Sequence, residues 1–547
     1  MLMSAADYRE SLRRYRPVVY VDGQRIESVA DEPLLAPGVN GIGVSYDYAL
    51  RESTQALMRT QGPDFDGPIN RMLAIPRTSA DLLNKLEAVR LVCQETGCAQ
   101  RYLGGDAFAA LYHGTHRLDA EANTDYHARF TAYLEHVYAN DLTIGIAMTD
   151  AKGDRSLRPA QQPNRDTYLH IVERRADGIV ISGTKAIVTA APYVHELMVL
   201  PGRNMTAADR DFAVCCAVPV DADGLTIVAR RAGRPGEAGA SFSGKYGQST
   251  GVCLFERVFV PWERVFCAGE WQHAGEFLYN YTAQHRHTCI AARAGFGDLL
   301  IGAGALVTEA NGIDLDRAHG LREAMIELIR ITEGFYACGV AASVYCQPSD
   351  AGIVTPDPVF SNIGKLLLAT QIYDMHRLAH HVSGGMIVTL PGPDEDHNPA
   401  TAGRLSEVLT ARSDIPYAKR IEVARFIEDL TASYQAGWYS LISLHGGGSP
   451  EAMKLEIYRN YPIGNKVDLV ERLLDRGILA DATRKITRNR QPGRCCAAGC
   501  FAPDAPQMVA LPPPPSGRAA ADDAATPRPN AIAADGATPR SNAIAAD

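Results

Sequence analysis

The segment Thr167–Thr189, TYLHIVERRADGIVISGTKAIVT, decides the fold class of this chain. Two runs rich in apolar and β-branched residues flank an Ala-Asp-Gly sequence at 176–178, and this pattern predicts two short strands joined by a turn. A second β-rich segment, Gly251–Phe266 (GVCLFERVFVPWERVF), follows further along the chain. We therefore predict a β domain of short strands over residues 141–274.

Helical periodicity surrounds this β domain on both sides. Apolar residues recur near helical spacing at Leu82, Leu86 and Val89, at Phe130, Tyr133, Leu134 and Val137, and at Leu321, Met325, Leu328, Thr332 and Phe335. The sequence thus predicts an α+β protein, with an N-terminal α-helical domain over residues 1–140 and a C-terminal helical bundle over residues 275–485. A β domain between two helical domains forms a crevice that can hold a flat cofactor.

Residues 486–547 differ from the rest of the chain in composition. They are dominated by Pro, Ala, Gly and Asp, and the sequence ATPRPNAIAAD is followed at once by the near copy ATPRSNAIAAD. So few large apolar residues cannot form a core, and we predict a disordered, low-complexity tail. Its cysteines, Cys495, Cys496 and Cys500, lack the second pair of ligands that a closed zinc site needs.

Composition narrows the class of function. The 547 residues are 46% hydrophobic and 21% charged, as in globular proteins, and the net charge is -9. An acidic chain is a poor match for nucleic acid or anionic lipid, so we expect a small-molecule partner. The N-terminal residues show no signal peptide or membrane helix, and the twelve cysteines lack disulfide-framework spacing. We expect a cytoplasmic protein with reduced thiols, including Cys93 and Cys98.

Three polar or glycine-rich segments are candidates for cofactor binding. Ala147–Ser156 combines hydroxyls, cations and a glycine at the start of the β domain, which suits a pyrophosphate or a ring edge, although a solvated turn has the same composition. Gly183–Ala191 ends a strand with small residues and Thr189, where ordinary strand packing is the alternative. Leu444–Glu451 (LHGGGSPE) exposes backbone amides at three glycines, and Ser449-Pro450-Glu451 predicts the start of a helix.

His285 is the candidate for catalysis. It lies in Tyr281–Cys289 (YTAQHRHTC), near the start of the predicted bundle. A lone histidine on a helix is more often packed or exposed than catalytic, so the pattern by itself leaves both readings open. No GxGxxG follows a predicted strand and no Walker A sequence occurs, which disfavours the common nucleotide-binding folds.

Long segments of the chain resemble one family of flavoproteins. The segments are MLMSAADYRESLRRY, Gly105–Phe108, Ala147–Ser156, Gly178–Thr189, PVDADGL, VFVPWERVF, the GFGDLLIGA run after His285, SGGMIVTLP and HGGGSP. In order and spacing over residues 1–480 they are similar to the 4-hydroxyphenylacetate 3-hydroxylase and 4-hydroxybutyryl-CoA dehydratase family. The resemblance implies an acyl-CoA-dehydrogenase-like fold with a β-barrel-like middle domain and a C-terminal four-helix bundle. It also implies a homotetramer.

The resemblance further implies FAD, bound between the β domain and the bundle. The positions that match the family's FAD contacts are Met148, Thr149, Asp150, Lys152, Asp154, Arg155, Ser156, Thr189, Gly384, Gly385, His445, Gly446, Gly448 and Ser449. We expect these residues to hold the cofactor.

The dehydratase branch also carries a four-iron, four-sulfur cluster on three cysteines and one histidine. Matching positions here are Cys98, Tyr102, His285 and Ala292, so two of the four ligands are missing. Such clusters are held chiefly by thiolates, and we therefore expect no iron–sulfur cluster and no other metal. Four further departures fall at positions where that branch has two glutamates, a tyrosine and a lysine: Thr250, Ile442, Cys289 and Arg293.

The hydroxylase branch needs no metal, because reduced flavin from a separate reductase reacts with oxygen in a dry pocket. Its phenol-binding residues are also replaced, by Leu103, Ala107 and Ile146. The leading hypothesis is a two-component flavin monooxygenase acting on an unidentified organic substrate. The alternatives are dehydration or double-bond isomerisation of an acyl-CoA, with His285 as the base, and a non-catalytic flavin-binding paralogue.

Overall fold

The computed structural model describes residues 1–474, which belong to one compact unit. The strands are β1 (Val18–Val21), β2 (Gln24–Ile26), β3 (Arg59–Gln61), β4 (Pro68–Asn70), β5 (Ile144–Ala147), β6 (His170–Arg174), β7 (Gly178–Thr189), β8 (Glu196–Val199), β9 (Val214–Pro219), β10 (Leu225–Ala229), β11 (Thr250–Pro261), β12 (Val265–Ala268), β13 (Gln347–Pro348) and β14 (Val354–Thr355). The predicted tail, its cysteines and residues 475–485 of the predicted bundle lie outside this description.

The helices flank the β-rich region in the chain. They are α1 (Ala5–Leu12), α2 (Ala36–Leu50), α3 (Gln55–Met58), α4 (Ser79–Thr96), α5 (Tyr102–Ala122), α6 (Tyr126–Asn140), α7 (Ala274–Ala310), α8 (His319–Val344), α9 (Pro358–Ser383), α10 (Ala402–Leu409), α11 (Tyr417–Thr431), α12 (Tyr434–His445), α13 (Pro450–Asn460) and α14 (Ile463–Leu473). The α+β class predicted from the sequence is confirmed.

The β-rich region forms two open sheets. A six-stranded sheet has the order β2-β1-β10-β11-β7-β6, and a four-stranded sheet has the order β12-β9-β8-β5. The predicted turn at 176–178 joins β6 and β7, which pair antiparallel from His170↔Ser182 to Arg174↔Ile179. The expectation of a β-barrel-like domain is wrong, because closure requires the two edge strands of a sheet to pair. Instead β5 packs against β7, and α5 and α6 cover β5 and β12.

The N-terminal segment also contributes to the larger sheet. Strands β1 and β2 form a hairpin whose turn residues, Asp22 and Gly23, have φ angles of 49° and 81°. Asp-Gly is a preferred sequence for two-residue hairpin turns of this left-handed kind. Strand β1 then pairs in parallel with β10, from Val18↔Thr226 to Val21↔Ala229. The mostly helical pattern predicted up to residue 140 therefore includes strands that complete a sheet formed mainly by later residues.

Helices α7, α8 and α9 pack against one another, and α4 and α5 pack on α7. Met325, Leu328, Thr332 and Phe335 are buried on α8, as their spacing predicts. Helix α7 has the length and hydropathy of a membrane span, but 67% of its apolar window is buried inside the protein. Its apolar character therefore fits its central position. That the bundle consists of four helices stays a prediction.

Candidate functional site

A cavity of about 800 Å³ lies where the β5–β6 connection and β7 face α7 and the loop between α12 and α13. Predicted site residues that line it are Met148, Thr149, Asp150, Lys152, Arg155, Thr189, His285, His445, Gly446, Gly448 and Ser449. The tertiary structure thus brings together segments that are far apart in the sequence, and the cavity is large enough for a cofactor or a substrate.

The β side of the cavity is organised by a buried lysine. Lys185 Nζ donates hydrogen bonds to the carbonyl oxygens of Met148 and Leu200, both at 2.9 Å, and lies 2.7 Å from Asp150 Oδ1. Ala186 N donates to the carbonyl oxygen of Thr149 at 2.7 Å, which adds this segment to the edge of β7. The carboxylate of Asp150 is therefore engaged with the protein, while the backbone around it is fixed along the cavity wall.

Four predicted cofactor residues do not line the cavity. Asp154 accepts hydrogen bonds from the backbone N and the Oγ of Ser156, at 2.9 and 2.7 Å, so the two residues form a local turn. Gly384 and Gly385 follow the C-terminal end of α9. A Cβ atom added at either glycine would meet no other atom of residues 1–474 within 4 Å.

The glycine-rich loop closes the cavity on the helical side. Helix α12 ends at His445, and α13 starts at Pro450 with Ser449 as its N-cap, as the Ser-Pro-Glu sequence predicts. Arg286 Nε donates to the carbonyl oxygen of Gly447 at 2.9 Å. Gly447 has a φ of 76°, and a Cβ there would lie 3.3 Å from Arg286 Cγ and 3.5 Å from His285 Cδ2. A side chain would therefore narrow the space that the loop leaves beside His285.

His285 is the centre of a buried charge network. Its Nδ1 lies 3.3 Å from Asp106 Oδ2, and its Nε2 lies 3.4 Å from Cys289 Sγ. Asp106 is fully buried, and accepts hydrogen bonds from Lys85 Nζ at 2.9 Å and Thr288 Oγ1 at 2.7 Å. Burial alone would lower the pKa of His285, but the charges of Cys289 and Asp106 outweigh it and raise that pKa to about 9. At neutral pH His285 therefore carries a proton that it can donate.

The positions that match the iron–sulfur ligands come together in space. Tyr102, His285 and Ala292 line the cavity, the rings of Tyr102 and His285 are 6.3 Å apart, and Cys98 is a buried free thiol, as is Cys93. Burial raises the pKa of the Tyr102 phenol well above its ordinary value. Within residues 1–474 no group of three His, Cys, Asp or Glu side chains has metal-binding geometry. The phenol of Tyr102 and the methyl group of Ala292 cannot replace the thiolates that hold a four-iron, four-sulfur cluster.

Several cavity residues carry no local signal in the sequence. Lys365 is buried on α9, donates to the carbonyl oxygen of Ser443 at 2.6 Å, and has its pKa lowered by burial to about 8. Arg203, Tyr168 and Tyr279 add further polar surface. Ile187 also lines the cavity with a φ of 57°, which is unusual for a β-branched residue. The positive φ of Ile187 cannot be predicted from a strand pattern. The other residues reach the cavity only because the folded chain brings their elements together.

Known proteins with this architecture are enzymes. The 4-hydroxybutyryl-CoA dehydratase/vinylacetyl-CoA-Δ-isomerase of Clostridium aminobutyricum is 35% identical over 486 residues, which cover 86% of this chain and 99% of that protein. A solved oxygen-tolerant archaeal 4-hydroxybutyryl-CoA dehydratase from N. maritimus is 32% identical with a TM-score of 0.83, and the match covers 88% of this chain and 97% of that chain. The similarity to these enzymes over nearly their whole length indicates that this chain is an enzyme.

The family models identify its family. The model for the 4-hydroxyphenylacetate 3-hydroxylase N terminal region matches residues 4–267, and the model for the C terminal region matches residues 274–475. The chain belongs to the 4-hydroxyphenylacetate 3-hydroxylase family. A solved oxygenase component of 4-hydroxyphenylacetate 3-monooxygenase, complexed with FAD, shares the fold at 19% identity with a TM-score of 0.76, covering 86% of this chain and 98% of that chain.

Proposed function

We propose that this chain is the oxygenase component of a two-component flavin monooxygenase. It binds FAD in the cavity, takes it in reduced form from a separate flavin reductase, and oxygenates a small organic substrate. The observation that carries this proposal is the composition of the cavity wall. Three of the segments expected to contact FAD line the cavity, and Tyr102 and Ala292 stand where the related dehydratases have cysteine ligands of an iron–sulfur cluster. In the same proposal the protein is a cytoplasmic homotetramer with an acyl-CoA-dehydrogenase-like fold.

The cavity wall fits the parts of FAD. Lys152, Arg155 and Arg203 supply positive charge for a pyrophosphate, and the hydroxyls of Thr149 and Thr189 can hydrogen-bond to the edge of a flavin ring. Bound reduced flavin supplies the electrons that activate molecular oxygen.

The chain's own residues then orient the substrate and control protons. The buried helical wall excludes water, since Tyr281 and His285 are both less than a tenth exposed. His285 is protonated at neutral pH, so it can donate its proton to an oxygen atom in the cavity that develops negative charge during the reaction.

The first test is an absorption spectrum of protein purified without oxygen, with iron and acid-labile sulfide measured on the same sample. Flavin bands without iron are expected; about four irons per chain would contradict the proposal, because such clusters contain four irons. The second test adds a flavin reductase, NADH and a panel of phenols, and measures ¹⁸O incorporation from ¹⁸O₂. Steady peroxide release without any labelled product would count against an oxygenase.

A matched pair of variants tests whether the cavity is the FAD site. Arg155→Gln removes a cavity-lining cation and is expected to weaken FAD binding about tenfold, the effect of losing one charge-assisted hydrogen bond. Asp154→Asn changes the neighbouring residue, whose side chain bonds only within its turn, and is expected to leave the FAD dissociation constant nearly unchanged. Fluorescence titration with FAD measures both values. Equal effects of the two substitutions would place the cofactor elsewhere.

A second candidate function is chemistry on an acyl-CoA. The 35% identity over 99% of the dehydratase favours it. In this function His285 is the candidate base; the charges of Cys289 and Asp106 raise its pKa to about 9, so proton removal by His285 is expected to be faster at alkaline pH. Conversion of vinylacetyl-CoA to crotonyl-CoA by the purified protein would support this function. Inactivity toward short acyl-CoAs would remove it, and flavin binding without activity in either assay would favour the non-catalytic flavin-binding paralogue.

A further inference from the structure

Cys289 occupies the position of a nucleophile in a three-residue arrangement. It follows His285 by one helical turn on α7, so both side chains lie on the same face. The Sγ of Cys289 lies 3.4 Å from His285 Nε2, and His285 Nδ1 lies 3.3 Å from Asp106 Oδ2. A nucleophile, a histidine and an orienting carboxylate in this order are the geometric signature of nucleophilic catalysis.

The carboxylate of this arrangement is held firmly. Asp106 has no exposure and is fixed by Lys85 and Thr288, at 2.9 and 2.7 Å. A fully buried carboxylate retains its charge only with such partners, so Asp106 orients the His285 ring and stabilises its protonated form. Cys289 and His285 both line the cavity, and a ligand there can therefore reach the sulfur.

The charged groups around Cys289 favour a thiolate. The cations His285, Arg286 and Arg293 face it from α7, and Lys365 faces it from α9. The neutral groups around it are Tyr281 on α7, Tyr102 on α5, Cys93 on α4 and Cys98 just after α4. Burial opposes ionisation of the thiol, but the charge and hydrogen bond of His285, followed by Lys365 and Arg293, lower the pKa of Cys289 below its ordinary value. A thiolate is the reactive form of cysteine.

An unpaired donor beside Cys289 points to an oxygen on the ligand. Arg293 lines the cavity and is 4% exposed, yet its Nη1 has no hydrogen-bond partner among residues 1–474. A buried guanidinium N–H without a partner costs free energy, and a carbonyl oxygen of a ligand would satisfy it. The same contact would stabilise negative charge that develops on that oxygen.

We propose that Cys289 is a nucleophile toward α,β-unsaturated carbonyl compounds bound in this cavity. The sulfur forms a bond to the β-carbon, the electron pair of the carbon–carbon double bond shifts toward the carbonyl oxygen beside Arg293, and His285 transfers its proton to the α-carbon. The products are a thioether on Cys289 and a neutral His285, so the charges cancel and no further reactant is needed. The proposal rests on the cavity geometry and is independent of the oxygenase function.

The test measures covalent labelling of the full chain by methyl vinyl ketone, a small enone, with peptide mass spectrometry as the readout. Cys338 is an internal control, because it is also half-buried and, within the described part of the chain, its Sγ hydrogen-bonds only to the carbonyl oxygen of Gly334, at 3.6 Å. At pH 7 the labelling of Cys289 is expected to be at least about tenfold faster than that of Cys338, the factor that one pKa unit gives. Equal rates at the two cysteines would overturn the proposal.

Two variants separate activation from positioning. His285→Gln is expected to slow labelling of Cys289 about tenfold at pH 7 and to move its half-maximal rate to higher pH. Arg293→Gln is expected to slow the reaction with the enone more than alkylation by iodoacetamide, because iodoacetamide forms no enolate and is slowed only through the higher pKa of Cys289. If His285→Gln does not fold, as judged by circular dichroism, the labelling rates of the unchanged chain are measured as a function of pH. The proposal is contradicted if the half-maximal rate of Cys289 does not lie at a lower pH than that of Cys338.

Discussion

At the scale of single residues, Asp106 and Lys85 show how the site is stabilised. Both side chains are buried, at 0% and 1% exposure, and their atoms are 2.9 Å apart. Asp106 also contacts His285, so this ion pair connects the core of the N-terminal helices to the cavity. An ion pair in this position is costly to break, because the remaining charge has no water to solvate it.

We therefore predict that Lys85→Met lowers the free energy of unfolding by about 3 kcal/mol, the lower end of the cost of removing one partner of a buried ion pair, because protonated His285 still faces Asp106. Lys419→Met is the matched control, since Lys419 and Glu422 form an ion pair whose side chains are 68% and 57% exposed. Its loss is expected to cost less than about 1 kcal/mol. Urea denaturation followed by circular dichroism measures both variants. A small effect of Lys85→Met would show that Asp106 is neutral or solvated.

At the scale of elements, the loop between α12 and α13 depends on its glycines. Gly447 and Gly448 have φ angles of 76° and 105°, a region that other residues enter at a cost. The loop also approaches His285 and Arg286 closely. The run of three glycines thus has a conformational reason as well as a steric one, and this combination allows the loop to border the cavity.

Gly447→Ala is expected to cost about 1 kcal/mol in the left-handed region and to weaken FAD binding roughly fivefold, because the loop must shift to admit the Cβ. Gly437→Ala is the control: Gly437 lies inside α12, and a Cβ there would meet nothing within 4 Å. That substitution is expected to be neutral or slightly stabilising. Isothermal titration of the two variants with FAD tests the difference; unchanged affinity in Gly447→Ala would remove the loop from the cofactor site.

At the scale of the whole molecule, buried neutral histidines link stability to pH. His195 joins α1 to the β domain: Thr143 N donates to its Nδ1 at 2.8 Å, so Nε2 carries the hydrogen and donates to Ser11 Oγ at 2.7 Å. Burial lowers the pKa of His195 to about 3, and burial also lowers that of His287 to about 3. The unfolded chain takes up these protons near pH 6.5, well before the folded protein does.

Stability is therefore expected to fall as the pH decreases from 6.5 toward 3, by up to about 1.4 kcal/mol per pH unit for each such histidine. His285 does not offset this loss, because its raised pKa gives stability that is fully present below pH 6.5 and is lost only as the pH rises through about 9. The thermal midpoint should drop between pH 7 and pH 5. His195→Gln should reduce the drop, whereas the exposed His319→Gln should leave it unchanged.

What could be predicted from the sequence depended on the range of the interaction. The α+β class, the turn at 176–178 and the helix start at Ser449 follow from neighbouring residues, and the structure confirms them. The expected barrel was wrong because closure depends on which strands form the edges. Likewise, nothing local to β1 shows that it will pair with β10, more than two hundred residues later.

The sequence alone is enough to predict the α+β class, the family and three of the segments that border the cavity, because these depend on local periodicity and long matching motifs. The tertiary structure is needed to show that Asp106 and His285, 179 residues apart in the sequence, form a hydrogen-bonded network with Cys289. It also decided that Lys365 and Arg293 face the same space. The reason is physical: burial and the distances between charges set the pKa values and the reactivity of these groups, and both arise only when the chain is folded.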